Sequence, residues 1–523
     1  MIRQGHELRG STIVRDKCDV AIIGSGCGGA TTALALAERG LDVVVIEAGG
    51  YYTAPDFDQR EDDMLAKIDG GRGLELSRHS ATQLSYGNNV GGASVHYWAD
   101  SYRTPADRLE LWSSRYGLEG HDLNTLEPHF ARIEADLSVH RAEEPYVNTM
   151  NRLLRDAATH LGWAGAPVPQ ARKGCVQSGY CTQGCSYDAK QSQLVTTIPR
   201  AVALGARVYA DCRARVLGGT GTRFIGLTAD VLDRATGRPT GTLLEVEARA
   251  IVVAAGGYET PSFLIRQGFG ANPHLGEHFF CNPCPMVHAL FPEDVVQWTN
   301  IPCAWGVEQF RLARHGAGSE TSSFFGTQGG YEEGGYLLMA NQLQPALLAA
   351  VLPGVGPEHA RLMKDARRLG GTIAWIDDAE EGRVTVNNGK RQIITPLDKG
   401  NERRIRDAFE KQATVLFEAG AIEVIFGDAR DTRITRPDEI AAAVASIDLL
   451  PGRNVLVAPH PGGGARMSAT LDSGVVGFDH RVHGTDNLYV TDPSVFPSGP
   501  SVDPSMTIMA FSHVAAGHVA DAV

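Results

Sequence analysis

Several features are scarce or missing in this 523-residue sequence, and each absence excludes a class of protein. Nine cysteines in a chain of this length make no disulfide framework of the kind found in small secreted domains. No run of 18 apolar residues is present, so no transmembrane helix is expected. The 48 lysines and arginines are outnumbered by 61 aspartates and glutamates, giving a net charge of −13. Such an acidic chain has no electrostatic reason to bind nucleic acid or an anionic membrane surface.

The amino terminus lacks the features of a targeting segment. Residues 1–14 carry Arg3, Glu7 and Arg9, and they contain neither an apolar signal region nor a twin-arginine motif. We therefore expect a cytoplasmic protein, with export alongside a partner subunit as the alternative.

Three of the cysteines, Cys175, Cys181 and Cys185, lie close together in the sequence. A zinc site usually adds a second cysteine pair or histidines, and these are absent. An iron–sulfur site stays open, but no fourth thiolate is evident nearby. We predict ordinary buried or loop thiols and no metal site.

The composition is otherwise that of a globular protein with several domains. Apolar residues make up 43% and charged residues 21%, and the length suggests two to four domains. Glycine is in excess, with 60 residues against a usual share of about 7%. The glycines are not periodic, so we expect them in tight turns and at close approaches to a ligand.

A complete βαβ unit opens the chain. The pattern predicts a buried strand at 19–23, a helix at 30–39 that Gly40 ends, and a second strand at 43–46 that runs into Glu47. A G-x-G-x-x-G turn links the first strand to the helix, and its glycines are Gly24, Gly26, Gly28 and Gly29. The arrangement predicts a dinucleotide site, although the motif alone does not separate NAD from FAD.

Each part of this unit has a physical role. Gly24 permits the tight turn, Gly26 lets the backbone approach a pyrophosphate, and Gly29 lets the helix pack close to the strand. The helix N-terminus offers free N–H groups to the phosphates. Glu47 would accept a hydrogen bond from a ribose hydroxyl.

Three later segments resemble the glucose–methanol–choline (GMC) family of FAD-dependent oxidoreductases. The stretch 86–98 contains a Gly-Gly-Ala-Ser sequence like that beside the flavin in the family. A buried strand at 251–255 enters a glycine turn and then Thr260-Pro261, similar to the second family signature. The segment 487–509 is similar to the C-terminal flavin-contacting segment. Within the family, the bacterial long-chain alcohol and polyol branch and the cholesterol oxidases are the most similar.

The resemblance implies the fold and the division of the chain. The implied class is α/β, with a discontinuous Rossmann-like FAD-binding domain and a smaller α+β substrate domain built on an antiparallel sheet. The FAD domain would comprise 15–110, 190–275 and 455–523. Residues 111–189 would form a connecting segment with the cysteine cluster, and 276–454 the substrate domain.

The resemblance also implies which residues contact FAD, with Val216 near the adenine. Besides the four glycines of the turn, the implied positions are Glu47, Ala48, Gly91, Gly92, Ser94, His96, Val216, Ala255, Gly256, Asp492, Pro493, Pro504, Ser505 and Thr507. In some members of the family a histidine at the place of His96 bonds covalently to FAD. We expect non-covalent FAD here, with a covalent link through His96 as the alternative.

His460 and Asp503 are the predicted catalytic residues. Oxidising an alcohol on a flavin requires a base for the hydroxyl proton while the carbon gives a hydride to flavin N5. The resemblance implies that His460, which precedes Pro461 and three glycines, is this base. Asp503 stands where the family has Asn or His, and Asp followed by Pro504 is also a good helix start. Asp503 is therefore protonated, directed to the substrate, or a helix cap.

The predicted activity is oxidation of an alcohol to an aldehyde or ketone, with oxygen or another electron acceptor reoxidising the flavin. The substrate classes favoured by the resemblance are long-chain, polyol or sugar, and ring alcohols. A non-redox, lyase-type member of the family and an NAD-dependent dehydrogenase are the alternatives. The sequence leaves the oligomeric state open.

Overall fold

A computed structural model describes residues 1–311, 335–378, 382–395, 397 and 399–523. Part of the predicted substrate domain, 312–334, lies outside the described residues. Among the residues described, none of the helices has the length and apolar character needed to cross a membrane.

A largely parallel sheet of eight strands forms the first layer of the described structure. In spatial order its strands are Ile2–Arg3, Arg207–Tyr209, Val43–Ile46, Ile13–Ile23, Pro239–Val253, Arg223–Leu232 and Cys212–Thr220, with Leu488–Val490 also paired to Pro239–Val253. The central strands run parallel, whereas the last two in this order are antiparallel. The central strand ends in a fully apolar run, Val20 to Ile23, because helices or loops cover both faces of a parallel sheet.

Two helices cover the nucleotide end of this sheet. The helix Cys27–Glu38 packs against the C-terminal helix Ser505–Ala522. Both helices are apolar almost all round, which is the pattern of helices buried between other elements. The first helix begins three residues earlier than predicted, because Gly28 and Gly29 belong to its first turn. Gly40 follows its end in the left-handed conformation, with φ of 81°.

The second layer is a nine-stranded, mainly antiparallel sheet among the described residues. In order its strands are Arg433–Ile434, Glu423–Phe426, Cys284–Leu290, Leu369–Ile376, Tyr336–Ala340, Trp305–Val307 and Gly165–Pro167, with Leu456–Ala458 joined to Cys284–Leu290 and Gln83–Leu84 joined to Leu456–Ala458. The long helix Lys399–Glu418, predicted at 401–419, packs on Cys284–Leu290 and Leu369–Ile376. The predicted α/β class with an antiparallel substrate sheet is confirmed.

Shorter elements complete the described part of the chain. The other α-helices are Gly5–Leu8, Glu61–Ile68, Ala106–Tyr116, Leu123–Asp136, Thr149–His160, Thr197–Ala203, Glu259–Arg266, Pro345–Val351, Pro357–Lys364 and Ile440–Ser446. Two small hairpin-like sheets pair Val139–Arg141 with Pro169–Ala171 and Arg383–Asn387 with Lys390–Ile394. Strand Gly165–Pro167 comes from the predicted connecting segment yet joins the second sheet, and the division at 111–189 stays a proposal.

Candidate active site

The glycine turn after the first long strand is packed tightly against neighbouring backbone at most of its positions. Gly24 has φ of 101°, and a Cβ there would lie 2.2 Å from the Ala254 carbonyl oxygen. A Cβ on Gly28 would lie 2.1 Å from the Thr491 carbonyl oxygen. A Cβ on Gly92 would lie 2.6 Å from the Gly26 Cα, so the two predicted cofactor loops touch. Gly26 differs, because a Cβ there would have no neighbour nearer than the Gly92 Cα at 3.8 Å, which leaves room at its backbone for a pyrophosphate.

The buried side chain of Glu47 holds the glycine turn in place through hydrogen bonds. Its buried carboxylate accepts hydrogen bonds from the Ser25 amide (3.0 Å), the Ser25 hydroxyl (2.7 Å) and the Gly49 amide (2.8 Å). Burial raises the pKa of Glu47, while these hydrogen bonds and one from the Ala48 amide oppose the rise. The Ser25 hydroxyl also accepts from the Gly91 amide at 3.1 Å, which joins the turn to the second glycine loop. The ribose contact of Glu47 stays a prediction.

The structure does not bring the Val216 side chain to this acid. The backbone amide of Cys212 donates to the Glu47 carbonyl at 2.8 Å. Val216 lies further along the same edge strand, and 49% of its surface is exposed. Cys212 is therefore the residue of this strand that contacts the Glu47 turn, and its buried position after Asp211 gave no distinctive sequence signal.

Buried cations hold the loop that follows Gly91 and Gly92. The Lys190 ammonium, 2% exposed, donates to the carbonyl oxygens of Val95 (2.5 Å), Tyr97 (3.0 Å) and Cys181. The Arg172 guanidinium donates to the Trp98 carbonyl at 2.7 Å. Burial lowers the pKa of Lys190 to about 8.

Ser94 and His96 lie within this loop. The Ser94 hydroxyl donates to the Gly91 carbonyl at 2.7 Å and accepts from the Gln193 amide at 2.9 Å. His96 Nε2 is buried and has no hydrogen-bond partner among the described residues. Burial lowers the pKa of His96, and the positive charge of Lys190 acts in the same direction. Among the named neighbours, only the negative charge of Asp69 raises the pKa of His96 against these two effects.

Asp492 joins the third predicted cofactor segment to the last one. One of its oxygens accepts from the Gly256 amide at 2.8 Å and from the Thr260 hydroxyl. The other accepts from the amide (2.9 Å) and the hydroxyl (2.5 Å) of Ser494. Thr260 Oγ1 in turn accepts from the Ala255 amide at 3.1 Å. Burial raises the pKa of Asp492, and its carboxylate serves to position these loops.

The last segment adds backbone of its own to the same place. The Pro493 carbonyl accepts from the Gly463 amide at 3.0 Å, next to the predicted catalytic histidine segment. Ser505 and Thr507 use their hydroxyls within the protein, because Ser505 donates to the Asp100 carbonyl (3.3 Å) and Thr507 pairs with Thr104 (2.7 Å). Their cofactor contacts, if formed, would therefore be made by the backbone at the start of the C-terminal helix.

His460 and Asp503, the two predicted catalytic residues, are in contact. His460 Nε2 lies 3.2 Å from Asp503 Oδ1, and the two side chains are 15% and 10% exposed. His460 Nδ1 lies 3.0 Å from Asn282 Oδ1. Because Asn282 commits its amide nitrogen to the Ile376 carbonyl, its oxygen faces the ring and Nδ1 carries a hydrogen. Nε2 then faces the Asp503 carboxylate.

Asp503 does not cap the C-terminal helix. The residue at the N-cap position is Pro504, and Asp503 instead reaches sideways to His460. Asp503 Oδ2 is buried without a partner among the described residues. The helix-cap interpretation of Asp503 is therefore wrong, because its carboxylate is already engaged by the imidazole.

Aromatic rings line one side of His460. The Trp375 ring centroid lies 5.1 Å from that of His460, and Trp98 packs edge-on against Trp375 at 5.8 Å. Trp375 and Asn282 were not singled out from the sequence. The Asn282-Pro283 dipeptide is a turn signal, and Asn282 adopts φ of 56°, but that signal gives no hint of a histidine 178 residues away.

The cysteine cluster lies outside this site. All three thiols are free and line a small surface depression together with Arg172 and Lys190. Within the described residues, no group of three His, Cys, Asp or Glu side chains converges as a metal site would.

Comparison with known proteins identifies the family. Two models of the GMC oxidoreductase family match residues 22–284 and 378–512. The chain belongs to the GMC oxidoreductase family. It is 31% identical over 499 residues to an uncharacterized GMC-type oxidoreductase of Mycobacterium tuberculosis, covering 95% of this chain and 75% of that protein. A long-chain-alcohol oxidase of Arabidopsis thaliana, FAO4B, is 25% identical over 98% of this chain and 69% of its own length.

The fold is shared with solved structures of other proteins. The pyridoxine 4-oxidase from Mesorbium loti superposes with a TM-score of 0.68 at 18% identity, over 96% of this chain and 98% of that chain. The two matched regions include every predicted cofactor segment before residue 285 and both His460 and Asp503. The chain is therefore an FAD-dependent GMC oxidoreductase of the class acting on CH–OH groups.

The residues present fit FAD, the cofactor that the GMC family implies. The glycine turn is held against neighbouring backbone at Gly24 and Gly28, whereas Gly26 has room beside its backbone, as the approach of a pyrophosphate needs. Helix Ser505–Ala522 directs its N-terminus, and so its positive dipole end, toward the His460 region. Residues 24–29, 91–96 and 503–507 would hold the cofactor.

Proposed function

We propose that this GMC oxidoreductase oxidises a lipophilic alcohol to the corresponding aldehyde or ketone. FAD, when bound, supplies the hydride acceptor at flavin N5. The single observation that carries the proposal is the His460–Asp503 pair, whose Nε2 and carboxylate form a proton acceptor beside the cofactor segments. The alcohol loses a hydride from carbon and a proton from oxygen, and the pair takes the proton.

The tautomer of His460 supports its role as the base. Asn282 holds the hydrogen on Nδ1, so Nε2 is the nitrogen left to exchange protons. Asp503 keeps Nε2 oriented and has a second oxygen with no partner among the described residues. The pair therefore has room for the proton that an alcohol releases.

The surroundings of the pair favour long-chain or ring alcohols over polyols. Trp375 and Trp98 form an aromatic wall beside His460, and Trp375 packs with Met339 and Ile373 on the substrate sheet. Apolar and aromatic walls bind an apolar chain or ring, whereas a polyol needs many hydrogen-bond partners. The similarity to a long-chain-alcohol oxidase supports the same class.

Anaerobic mixing with a panel of alcohols tests this function. We expect long-chain and ring alcohols to bleach the visible flavin band of the purified protein faster than polyols. In His460→Ala the rate of bleaching should fall by about 10²–10⁴-fold at unchanged flavin content, whereas His518→Ala, on the exposed side of the last helix, should match wild type. A yellow protein that no alcohol, sugar or sterol bleaches would contradict the redox function and favour the lyase-type alternative.

The FAD is proposed to be bound non-covalently, with His96 close to it. Family membership leaves the NAD-dependent alternative without support, and a yellow protein would exclude it. Reoxidation of the bleached protein with oxygen and, separately, with an artificial dye would distinguish an oxidase from a dehydrogenase.

A further inference from the structure

Asn282, which fixes the hydrogen on His460 Nδ1, is itself held by residues at the end of a strand of the substrate sheet. Its side-chain nitrogen donates to the Ile376 carbonyl. Its backbone amide donates to Asp378 Oδ1 at 2.8 Å, and the Cys281 amide donates to Asp378 Oδ2 at 3.1 Å. Both oxygens of one carboxylate therefore hold two consecutive amides of the chain at Asn282.

The backbone of Asn282 needs this support. Asn282 has φ of 56°, in the left-handed region that residues other than glycine seldom adopt. Such a conformation persists only where the surrounding contacts fix it. A further contact comes from the Cys284 thiol, which donates to the Asn282 carbonyl at 3.0 Å. The side-chain oxygen that meets His460 Nδ1 at 3.0 Å is therefore placed by a backbone that Asp378 stabilises.

The groups around Asp378 bring its titration close to neutral pH. Burial raises the pKa of Asp378 to about 7, and the negative charge of Asp377, which is bonded to Arg108, acts in the same direction. The two amide hydrogen bonds oppose the rise. Burial keeps its remaining titratable neighbours uncharged by raising the pKa of each well above its usual value, and these neighbours are Cys281, Cys284 and Tyr258.

We infer that Asp378 is a positioning residue for His460, and that it acts through Asn282 in its carboxylate form. The carboxylate accepts from both amides and so holds the left-handed turn that places Asn282 Oδ1 against the imidazole. Protonation leaves one strong acceptor and turns the other oxygen into a donor, so one amide loses its partner. The orientation of His460 is therefore better fixed above about pH 7 than below it. This inference rests on the proposed alcohol oxidation.

Anaerobic stopped-flow reduction of the flavin by an alcohol, measured from about pH 5.5 to about pH 8.5, tests this role. Asp378→Asn imitates the protonated acid, because an amide also has one acceptor and one donor group. We expect the variant to reduce its flavin about 10- to 100-fold more slowly than wild type at the high-pH end, at unchanged flavin content. The ratio of the two rates should approach one at the low-pH end, where wild-type Asp378 is itself protonated. Titration of His460 affects both proteins alike and cancels in the ratio.

Asp407→Asn is the matched control for removing a buried carboxylate. Asp407 lies on the helix Lys399–Glu418, is also buried, and accepts from the Tyr336 hydroxyl at 2.5 Å. Its rate should equal that of wild type at each pH. A slow Asp378→Asn whose ratio to wild type is the same at every pH would show a merely structural role and overturn the inference, as would a wild-type rate throughout.

A second variant keeps the test decisive if Asp378→Asn folds poorly. Asn282→Gly adopts the left-handed φ freely but offers no side chain to His460. Its deficit relative to wild type should likewise shrink at low pH, and a deficit independent of pH would contradict the inference. Adding Asp378→Asn to Asn282→Gly should slow reduction little further, whereas losses that multiply would exclude action through Asn282. If no alcohol reduces the wild-type flavin, the proposed function itself fails, which is a separate outcome.

Discussion

His460 has both ring nitrogens engaged, and each engagement has a different consequence. The Asn282 contact fixes which nitrogen carries a hydrogen, and the Asp503 contact fixes where an additional proton goes. A histidine alone near a flavin would be free to rotate, whereas this one is held on both sides and by the Trp375 ring. Orientation of the base is therefore set by three residues from three separate segments.

At the same scale, His96 is the residue through which FAD would be attached covalently, if it is not bound non-covalently. A histidine with a free buried Nε2 beside the Gly92 loop has the chemistry for a covalent bond, but a free nitrogen is equally suited to a hydrogen bond. We expect acid precipitation of the purified protein to leave the flavin in the supernatant. Flavin that stays with the pellet, and is lost from the pellet in His96→Ala, would establish the covalent link instead.

How far the sequence predicts the site differs from residue to residue. The glycine turn, Glu47 and His460 stand in local patterns whose geometry follows from neighbouring residues, and the structure places them at one site. Asn282 and Trp375 carry no local pattern of this kind. They matter only because folding brings them to His460 from distant segments, and single-sequence periodicity contains no such distance information.

At the scale of elements, the loop 95–98 is held by the positive charges of Lys190 and Arg172. Neither charge is bonded to a carboxylate in the described hydrogen-bond network. Lys190 and Arg172 donate hydrogen bonds to the loop carbonyls, and no carboxylate among the described residues forms an ion pair with either. A buried cation satisfied only by carbonyls loses hydration on folding, which is why the pKa of Lys190 falls to about 8. The free-energy cost of burying the charged Lys190 ammonium in this loop therefore depends on pH.

That cost predicts a pH dependence of stability. Between about pH 8 and pH 10 the unfolded chain binds a proton on Lys190 that the folded chain has released, so the free energy of unfolding should rise with pH. Lys190→Met should remove this contribution, which amounts to about 3 kcal/mol at most. Denaturant unfolding of both proteins from pH 7 to pH 10 measures it. Parallel stability curves for the two proteins would contradict the prediction.

Elements with strong patterns were predicted as elements, but their boundaries were accurate only in part, because the strand predicted at 19–23 extends from Ile13 to Ile23. The strand Val43–Ile46 is placed as expected, and Lys399–Glu418 differs from its predicted range by one or two residues. Pairing of Gln83–Leu84 and Leu456–Ala458 with the substrate sheet was not foreseen. These strands are two and three residues long, and their pairing is set by tertiary packing more than by propensity.

At the scale of the whole molecule, one buried ion pair joins the two layers. Arg108, on the helix Ala106–Tyr116, is bonded to Asp377, which follows the strand Leu369–Ile376 of the substrate sheet. Their side chains are 2% and 5% exposed. The pair links the helix Ala106–Tyr116 to the end of a strand of the substrate sheet.

Removing one member of this pair should destabilise the protein more than removing both. Arg108→Met takes a buried guanidinium away from Asp377 and should lower the free energy of unfolding by about 3–5 kcal/mol. The double variant with Asp377→Leu should recover a substantial part of that loss. A double-mutant cycle measured by denaturant unfolding checks the coupling, and additive effects of the two substitutions would refute it.

The contact between the glycine turn and the last segment also governs when the protein can first hold its cofactor. Thr32, on the helix after the turn, hydrogen-bonds to Thr491 at 3.2 Å across 459 residues of chain. The surface predicted to bind the pyrophosphate is therefore incomplete until the segment around Thr491 has been synthesised. We therefore expect the nucleotide domain to order around FAD late in synthesis, because Thr32 and Thr491 must both be present to complete the site.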